Sequence, residues 1–203
     1  MPSAIATKSY ADIVKEPFKK GAIIRSDFPG FKEDYLAIHS IIRKYQPNRL
    51  LEIGTSTGNG TKVICRAMGI NRLGLNPNKK VYSIDVPPNT DPSIIYPDKE
   101  DGHPERAGMY NNYPYTQLFG SSIEFDFSPY YPLDAWFIDG KHDYKYATGD
   151  TEQALKAKPQ LIIWHDLQID EVEKAVADTM KKHSEYKLYR VESTRIGYAV
   201  KQP

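Results

Sequence analysis

The side chains best suited to chemistry fall in two short stretches, Phe137-Ile138-Asp139-Gly140-Lys141-His142-Asp143-Tyr144 and Trp164-His165-Asp166. Residues 134–140 and 160–166 each read as a buried apolar strand that ends in these groups. Open α/β sheets bind ligands beyond the carboxyl ends of their strands, so Asp139, His165 and Asp166 would converge on one point there. His142 follows Asp139 by one short step. An imidazole with an ordinary pKa near ~6.5 is suited to accept a hydroxyl proton at neutral pH. Each residue also has a structural role open to it: Asp139 as a helix cap, His142 as a solvated loop residue, His165-Asp166 as a hydrogen-bonded strand exit. Three ligand-type residues at two strand ends favour a functional centre over separate structural roles.

A second constellation lies upstream, in Arg49–Thr61, which reads R-L-L-E-I-G-T-S-T-G-N-G-T. Leu50, Leu51 and Ile53 make a buried strand, Gly54, Gly58 and Gly60 a turn, and Thr61–Met68 a helix. Glycines let the backbone turn sharply and let a ligand approach the main chain. A dinucleotide fold would show G-x-G-x-x-G and hold a pyrophosphate at the helix N-terminus. Here Glu52 stands two residues before the first glycine, where a carboxylate suits a cationic ligand and repels a diphosphate. That argues against a nicotinamide-dependent oxidoreductase, which stays as a minor alternative. Val81–Asp85 is the next strand. Asp85 at its end is placed to accept hydrogen bonds from the vicinal hydroxyls of a ribose, somewhat further downstream than the ~20 residues usual in dinucleotide folds.

The elements that must position these groups follow from periodicity. Lys8–Lys19 and Phe31–Tyr45 read as helices, with Phe31, Tyr35, Ile38, Ile41 and Ile42 near helical spacing in the second. Tyr115–Phe119 is a strand, Gln153–Lys158 closes a helix, and Ile169–Lys182 is a charged amphipathic helix. Lys187–Glu192 and Arg195–Val200 form a closing strand pair about a tight Ser193-Thr194 turn. The expected organisation is an N-terminal helical arm over residues 1–46 and a cofactor-binding domain over 47–203. That domain carries a proline-rich insertion at 86–113, whose Tyr96, His103, Arg106, Tyr110 and Tyr113 are candidate substrate contacts. The chain has 203 residues, 40% hydrophobic and 26% charged, with a formal net charge of +1. Such a balance gives no electrostatic case for nucleic acid or an anionic membrane. The single cysteine, Cys65, excludes an internal disulfide and reads as packing. No apolar run approaches membrane-spanning length and no signal core is visible, so a cytoplasmic protein is expected. A homodimer is compatible with this organisation. His39 and His183 read as structural.

The Glu-x-Gly-x-x-x-Gly turn resembles motif I of class I S-adenosylmethionine-dependent methyltransferases, with Ser56 where the common form has a third glycine. This variant is nearest to the small metal-dependent O-methyltransferases of the catechol and caffeoyl-CoA type. The signature D-G-x-H-x-Y followed by H-D, at Asp139–Tyr144 and His165-Asp166, resembles a bacterial group that includes sugar and natural-product O-methyltransferases. The resemblance spans most of residues 48–201. It implies an α/β fold with a doubly wound, seven-stranded, mostly parallel sheet, closed after five βα units by a strand pair whose last strand is reversed. It also implies that Glu52, Gly54, Thr55, Ser56, Gly58, Asp85, Ser121, Ser122 and Asp139 hold S-adenosylmethionine, with Ser121 and Ser122 bordering the adenine ring. Asp139, His165 and Asp166 would then hold a divalent cation, Mg²⁺ or Mn²⁺. His165 departs from the oxygen-only ligand set of the catechol type, and imidazole also suits Fe²⁺ or Zn²⁺. His142, with Asp139, would be the catalytic base, standing where the catechol type has a lysine. The implied activity is methyl transfer to a hydroxyl of a small molecule of sugar, phenolic or natural-product type. The alternative on the same fold is different chemistry, such as hydroxylation, or binding alone.

Overall fold

The computed structural model describes residues 6–8 (backbone only), 32–73, 76–88, 90, 107–108 and 111–203. In chain order the elements are β1 (Ala6–Lys8), α1 (Lys32–Tyr45), β2 (Arg49–Ile53), α2 (Asn59–Ala67), β3 (Lys80–Asp85) and β4 (Thr116–Phe119). They continue with β5 (Ala135–Ile138), α3 (Tyr144–Lys156), β6 (Leu161–Trp164), α4 (Asp170–Met180), β7 (Tyr186–Val191) and β8 (Gly197–Lys201). All strands join one sheet in the order β1-β7-β8-β6-β5-β2-β3-β4. Every pairing is parallel except those of β8, which runs antiparallel to both β6 and β7. The seven expected strands with a reversed last strand are therefore present, and β1 adds a short eighth at the edge.

The central strands are apolar throughout, because both faces of a parallel sheet are covered. Ala135–Ile138 and Leu161–Trp164 are buried at every position. Successive side chains point to opposite faces, and the two cores follow that alternation. Leu50, Phe137 and Ile163 pack with Ile38, Ile41 and Ile42 of α1 and Ile64 of α2. Leu51, Trp136, Ile162 and Trp164 pack with Ala147 and Ala154 of α3 and Val172 and Val176 of α4.

Several expectations need correction. Lys8 is not the start of a helix. It pairs in β1 with Val191 of β7, and residues 9–19 lie outside the described residues. No α-helix forms between β4 and β5, while most of the link after β3 lies outside the described residues. β4 instead leads to β5 through a 3₁₀ turn at Ser128–Tyr130, where Pro129 and Pro132 lack the N–H groups that a longer helix needs. Asp134 stands before β5 as an anchor and not within it, its Oδ2 accepting from Asn48 N at 2.8 Å and Arg49 N at 3.0 Å. The closing turn is wider than Ser193-Thr194 and runs over residues 192–196, because Arg195 is drawn out of the ladder to Asp34. Of the insertion side chains singled out, Tyr96, His103, Arg106 and Tyr110 lie outside the described residues. Tyr113 packs against the core on the α1–α2 face. No helix among the described residues is long and apolar enough to cross a membrane.

Candidate functional site

The first half of the site is the β2–α2 turn. Glu52 shares its face of β2 with Leu50, so it points beneath α2 and is fully buried. Its Oε2 accepts hydrogen bonds from the Thr61 hydroxyl and, at 2.6 Å, from the Ser83 hydroxyl. Burial pushes the Glu52 carboxyl up to about 8, against the pull of those two hydrogen bonds. The network continues through Thr55 Oγ1, 2.6 Å from Ser83 Oγ, to Gln117 Nε2 at 2.9 Å and on to the Tyr115 hydroxyl, which donates to Gln117 Oε1. Glu52 thus holds the turn from below and does not face the open edge.

The glycines serve three different contacts. Gly54 sits at φ 92°, and a Cβ there would collide with the Asp139 carbonyl oxygen. Gly58, at φ 87°, would bring a Cβ to 2.8 Å from Gly108 Cα, and Gly108 N donates to Ser56 O at 2.8 Å. The end of the insertion therefore rests on the turn. A Cβ on Gly60 would meet Glu52 Oε1 at 2.5 Å. Beside the turn, Asp85 accepts from Ser56 N at 2.6 Å and Val86 N at 2.8 Å, and burial raises its pKa.

The second half gathers around the ends of β5 and β6. Asp139 N donates to Ile53 O and His165 N to Ile138 O, so the sheet ladder itself sets both side chains at the carboxyl edge. His165 is 4% exposed. Its Nδ1 lies 2.9 Å from Asp166 Oδ2 and 3.3 Å from Asp139 Oδ1, and its Nε2 lies 3.6 Å from Asp34 Oδ2. His142 Nε2 approaches the same carboxylates from the solvent side, 3.1 Å from Asp166 Oδ2 and 3.8 Å from Asp139 Oδ1. Asp166 adopts φ 53°, a left-handed conformation that aims its carboxylate into the cluster. Burial alone would lower the His165 pKa, but Asp139, Asp166 and Asp34 together hold it up at about 10. The Asp139 carboxylate, with help from Asp166, raises His142. Burial would raise Asp166, yet His165 hydrogen bonding and charge hold it well below the usual carboxylate range.

Two members of this cluster carry no signal in the sequence. Asp34, from the first turn of α1, is 2% exposed. Its carboxylate accepts from Arg195 N at 2.8 Å and Nε at 2.7 Å, and Arg195 Nη1 reaches Asp166 Oδ1 at 3.4 Å. Chain separation hides this pair, since one partner lies on the arm helix and the other in the closing turn. Ser83, Gln117 and Tyr115 are equally unmarked, because polar residues within strands have no motif of their own.

Of the sequence-derived residues, the structure groups Asp139, His142, His165 and Asp166, and sets the glycine turn and Asp85 beside them. The donor atoms of Asp139, His142 and Asp166 all lie within 4.8 Å of one another, a span that a divalent cation can bridge. The sequence-derived triad had His165 in place of His142. Both imidazoles face the two carboxylates, one buried and one exposed. Ser121 and Ser122 are half-buried after β4, with Ser122 Oγ donating to Asp150 Oδ1 at 2.6 Å.

A parallel sheet closed by one reversed strand, with a glycine turn after its central β2 and acids at the ends of the flanking β3 and β5, is the architecture of the methyltransferase fold. The family described as "Methyltransferase domain" matches residues 51–167, and the chain belongs to that family. No curated protein matches the sequence. Three solved structures illustrate the likeness. An O-methyltransferase from Bacillus cereus in complex with SAH is 19% identical, with 89% of this chain and 84% of that chain covered at a TM-score of 0.55. The O-methyltransferase TomG from Streptomyces achromogenes, involved in tomaymycin synthesis and solved with SAM, is 16% identical, with 89% and 82% covered at 0.57. The SAH-bound methyltransferase PaMTH1 from Podospora anserina is 12% identical, with 88% and 84% covered at 0.51. At these identities the likeness is one of fold.

Proposed function

We propose that this protein transfers the methyl group of S-adenosylmethionine to a hydroxyl of a small molecule, of sugar, phenolic or natural-product type, with a divalent cation assisting. The observation that carries the reading is the meeting of Asp139, His142, His165 and Asp166 immediately beside the glycine turn, with Gly54 packed on the Asp139 carbonyl. The SAM and SAH held by TomG and by the Bacillus cereus enzyme support the choice of cofactor.

The residues present fit such a ligand. Asp85 accepts from Ser56 N and Val86 N, and a carboxylate offers about four acceptor sites, which leaves capacity for ribose hydroxyls. The main chain of Gly54, Thr55, Ser56 and Gly58 lines the approach without large side chains, and Ser121 and Ser122 border the base. Glu52 supports this surface from below by fixing Thr61 and Ser83. A donor set of two carboxylates and an imidazole suits a divalent cation, with Asp139 and Asp166 as oxygen ligands and His165 as the nitrogen, which leaves His142 unligated. Bound there, the cation would orient the acceptor hydroxyl and lower its pKa. His142, the exposed imidazole, stands where an acceptor would arrive and takes the hydroxyl proton at Nδ1, while Asp139 and Asp166 orient its ring through the Nε2–H. The chain's main task is positioning, since the sulfonium methyl and the acceptor oxygen must meet in line.

Isothermal titration with S-adenosylmethionine and with NAD⁺, each with and without Mg²⁺ or Mn²⁺, tests the reading. Saturable binding of S-adenosylmethionine, weakened about tenfold or more by Asp85→Ala, is expected. Binding of NAD⁺ alone, or of neither ligand, would overturn it.

A further inference from the structure

Between the two strand exits of the site lies a buried acid that the proposed reaction does not use. Asp150, on the inner face of α3, is 1% exposed. Its Oδ1 accepts the Ser122 hydroxyl at 2.6 Å. Its Oδ2 has no hydrogen-bond partner among the described residues, and points at the β5 exit, 3.0 Å from where a Cβ on Gly140 would stand. The carboxylate therefore touches both Ser122, after β4, and Gly140, next to Asp139.

The rest of α3 fixes this contact. Gly149 packs so closely that a Cβ there would lie 2.5 Å from Ile123 Cγ2. Gln153 Nε2 donates to the carbonyls of Ser122, Ile123 and Phe125 at 3.3, 3.0 and 3.2 Å. Neither the backbone nor the side chain of Ser122 is free to reorient.

A lone serine hydroxyl is ambivalent, because it both donates and accepts. With its one proton committed to Asp150, Ser122 has only lone pairs to offer a ligand. We propose that Asp150 is a specificity-determining positioning residue: it makes Ser122 an obligatory hydrogen-bond acceptor, so that the site takes an amino-purine cofactor and rejects its 6-oxo counterpart. This rests on the reading that Ser121 and Ser122 border the base of S-adenosylmethionine. An exocyclic amine meets the Ser122 lone pairs, whereas a 6-oxo group sets acceptor against acceptor and leaves both unpaired.

The test is calorimetric binding of S-adenosylhomocysteine and of S-inosylhomocysteine to the full chain, to Asp150→Asn and to Ser122→Ala. The wild type is expected to prefer the adenosyl ligand by about tenfold or more. Asp150→Asn, whose amide donates to Ser122 and frees the serine proton, is expected to cut that preference to about threefold or less, as is Ser122→Ala. A merely structural acid would leave the ratio unchanged while weakening both ligands together, and that result overturns the inference. Should Asp150→Asn not fold, an undiminished preference in Ser122→Ala overturns it equally. A wild type that binds neither ligand refutes the cofactor reading itself. A wild type that binds both equally refutes only this inference.

Discussion

Glu52 and His142 show how burial divides two titratable groups of one site into different tasks. Glu52 has no water contact, and its carboxyl stays protonated up to about 8 against an ordinary 4.5. Between those values the folded chain keeps a proton that the unfolded chain releases, so stability falls as pH rises through that window, by about 5 kcal/mol at most. Glu52→Gln should flatten that decline, read as the urea midpoint at pH 5 and at pH 8.5. An unchanged slope would remove Glu52 as its source. His142 is the opposite case, an exposed imidazole with two carboxylates behind it. His142→Ala should lower turnover by about 100-fold or more, on whichever hydroxyl acceptor a screen identifies, with S-adenosylhomocysteine affinity nearly unchanged. Loss of cofactor binding in that variant would count against a base.

At the scale of elements, α2 starts where it does because of one contact. Gly58 supplies the left-handed turn, and Gly60 leaves room for the Glu52 carboxyl beneath the first helical turn. Gly60→Ala should therefore cost about 2 kcal/mol by overpacking, since the buried acid is held by Thr61 and Ser83 and cannot withdraw. Gly69 ends the same segment at φ 75°, and a Cβ added there would meet nothing within 4 Å. Gly69→Ala should cost only the conformational penalty of about 1 kcal/mol. Equal losses in the two variants, measured by chemical denaturation, would mean that the contact with Glu52 does not set the helix start. The strands carry a related lesson. Asp134, Asp139 and His165 read as strand residues in the sequence, and each keeps a backbone bond to a neighbouring strand while its side chain takes a separate task, one as an anchor and two at the site.

Across the whole molecule, Asp34 and Arg195 tie the arm helix to the closing turn and to the site. Arg195→Ala would strip the buried carboxylate of its guanidinium, leaving the residue-195 backbone N–H and His165, at 3.6 Å. A loss of about 3 kcal/mol in unfolding free energy is expected, and a loss below about 0.5 kcal/mol would show that the pair is dispensable. The strands, the glycine turn and the acids at strand ends were legible in the sequence because each is a local pattern: an apolar run, a glycine spacing, a residue at a boundary. The 3₁₀ link from β4 to β5 was not, because its prolines leave no periodicity to read. Sequence pattern was enough for the alternation of strand and helix, the reversed closing strand, and the carboxyl edge on which Asp85, Asp139, His165 and Asp166 stand. Packing of the folded chain was needed to put Glu52 under the turn, to bury His165 while exposing His142, and to bring Asp34, Arg195 and Asp150 to the site. Burial and contact between distant segments are properties of the packed chain, and no spacing along the sequence encodes them.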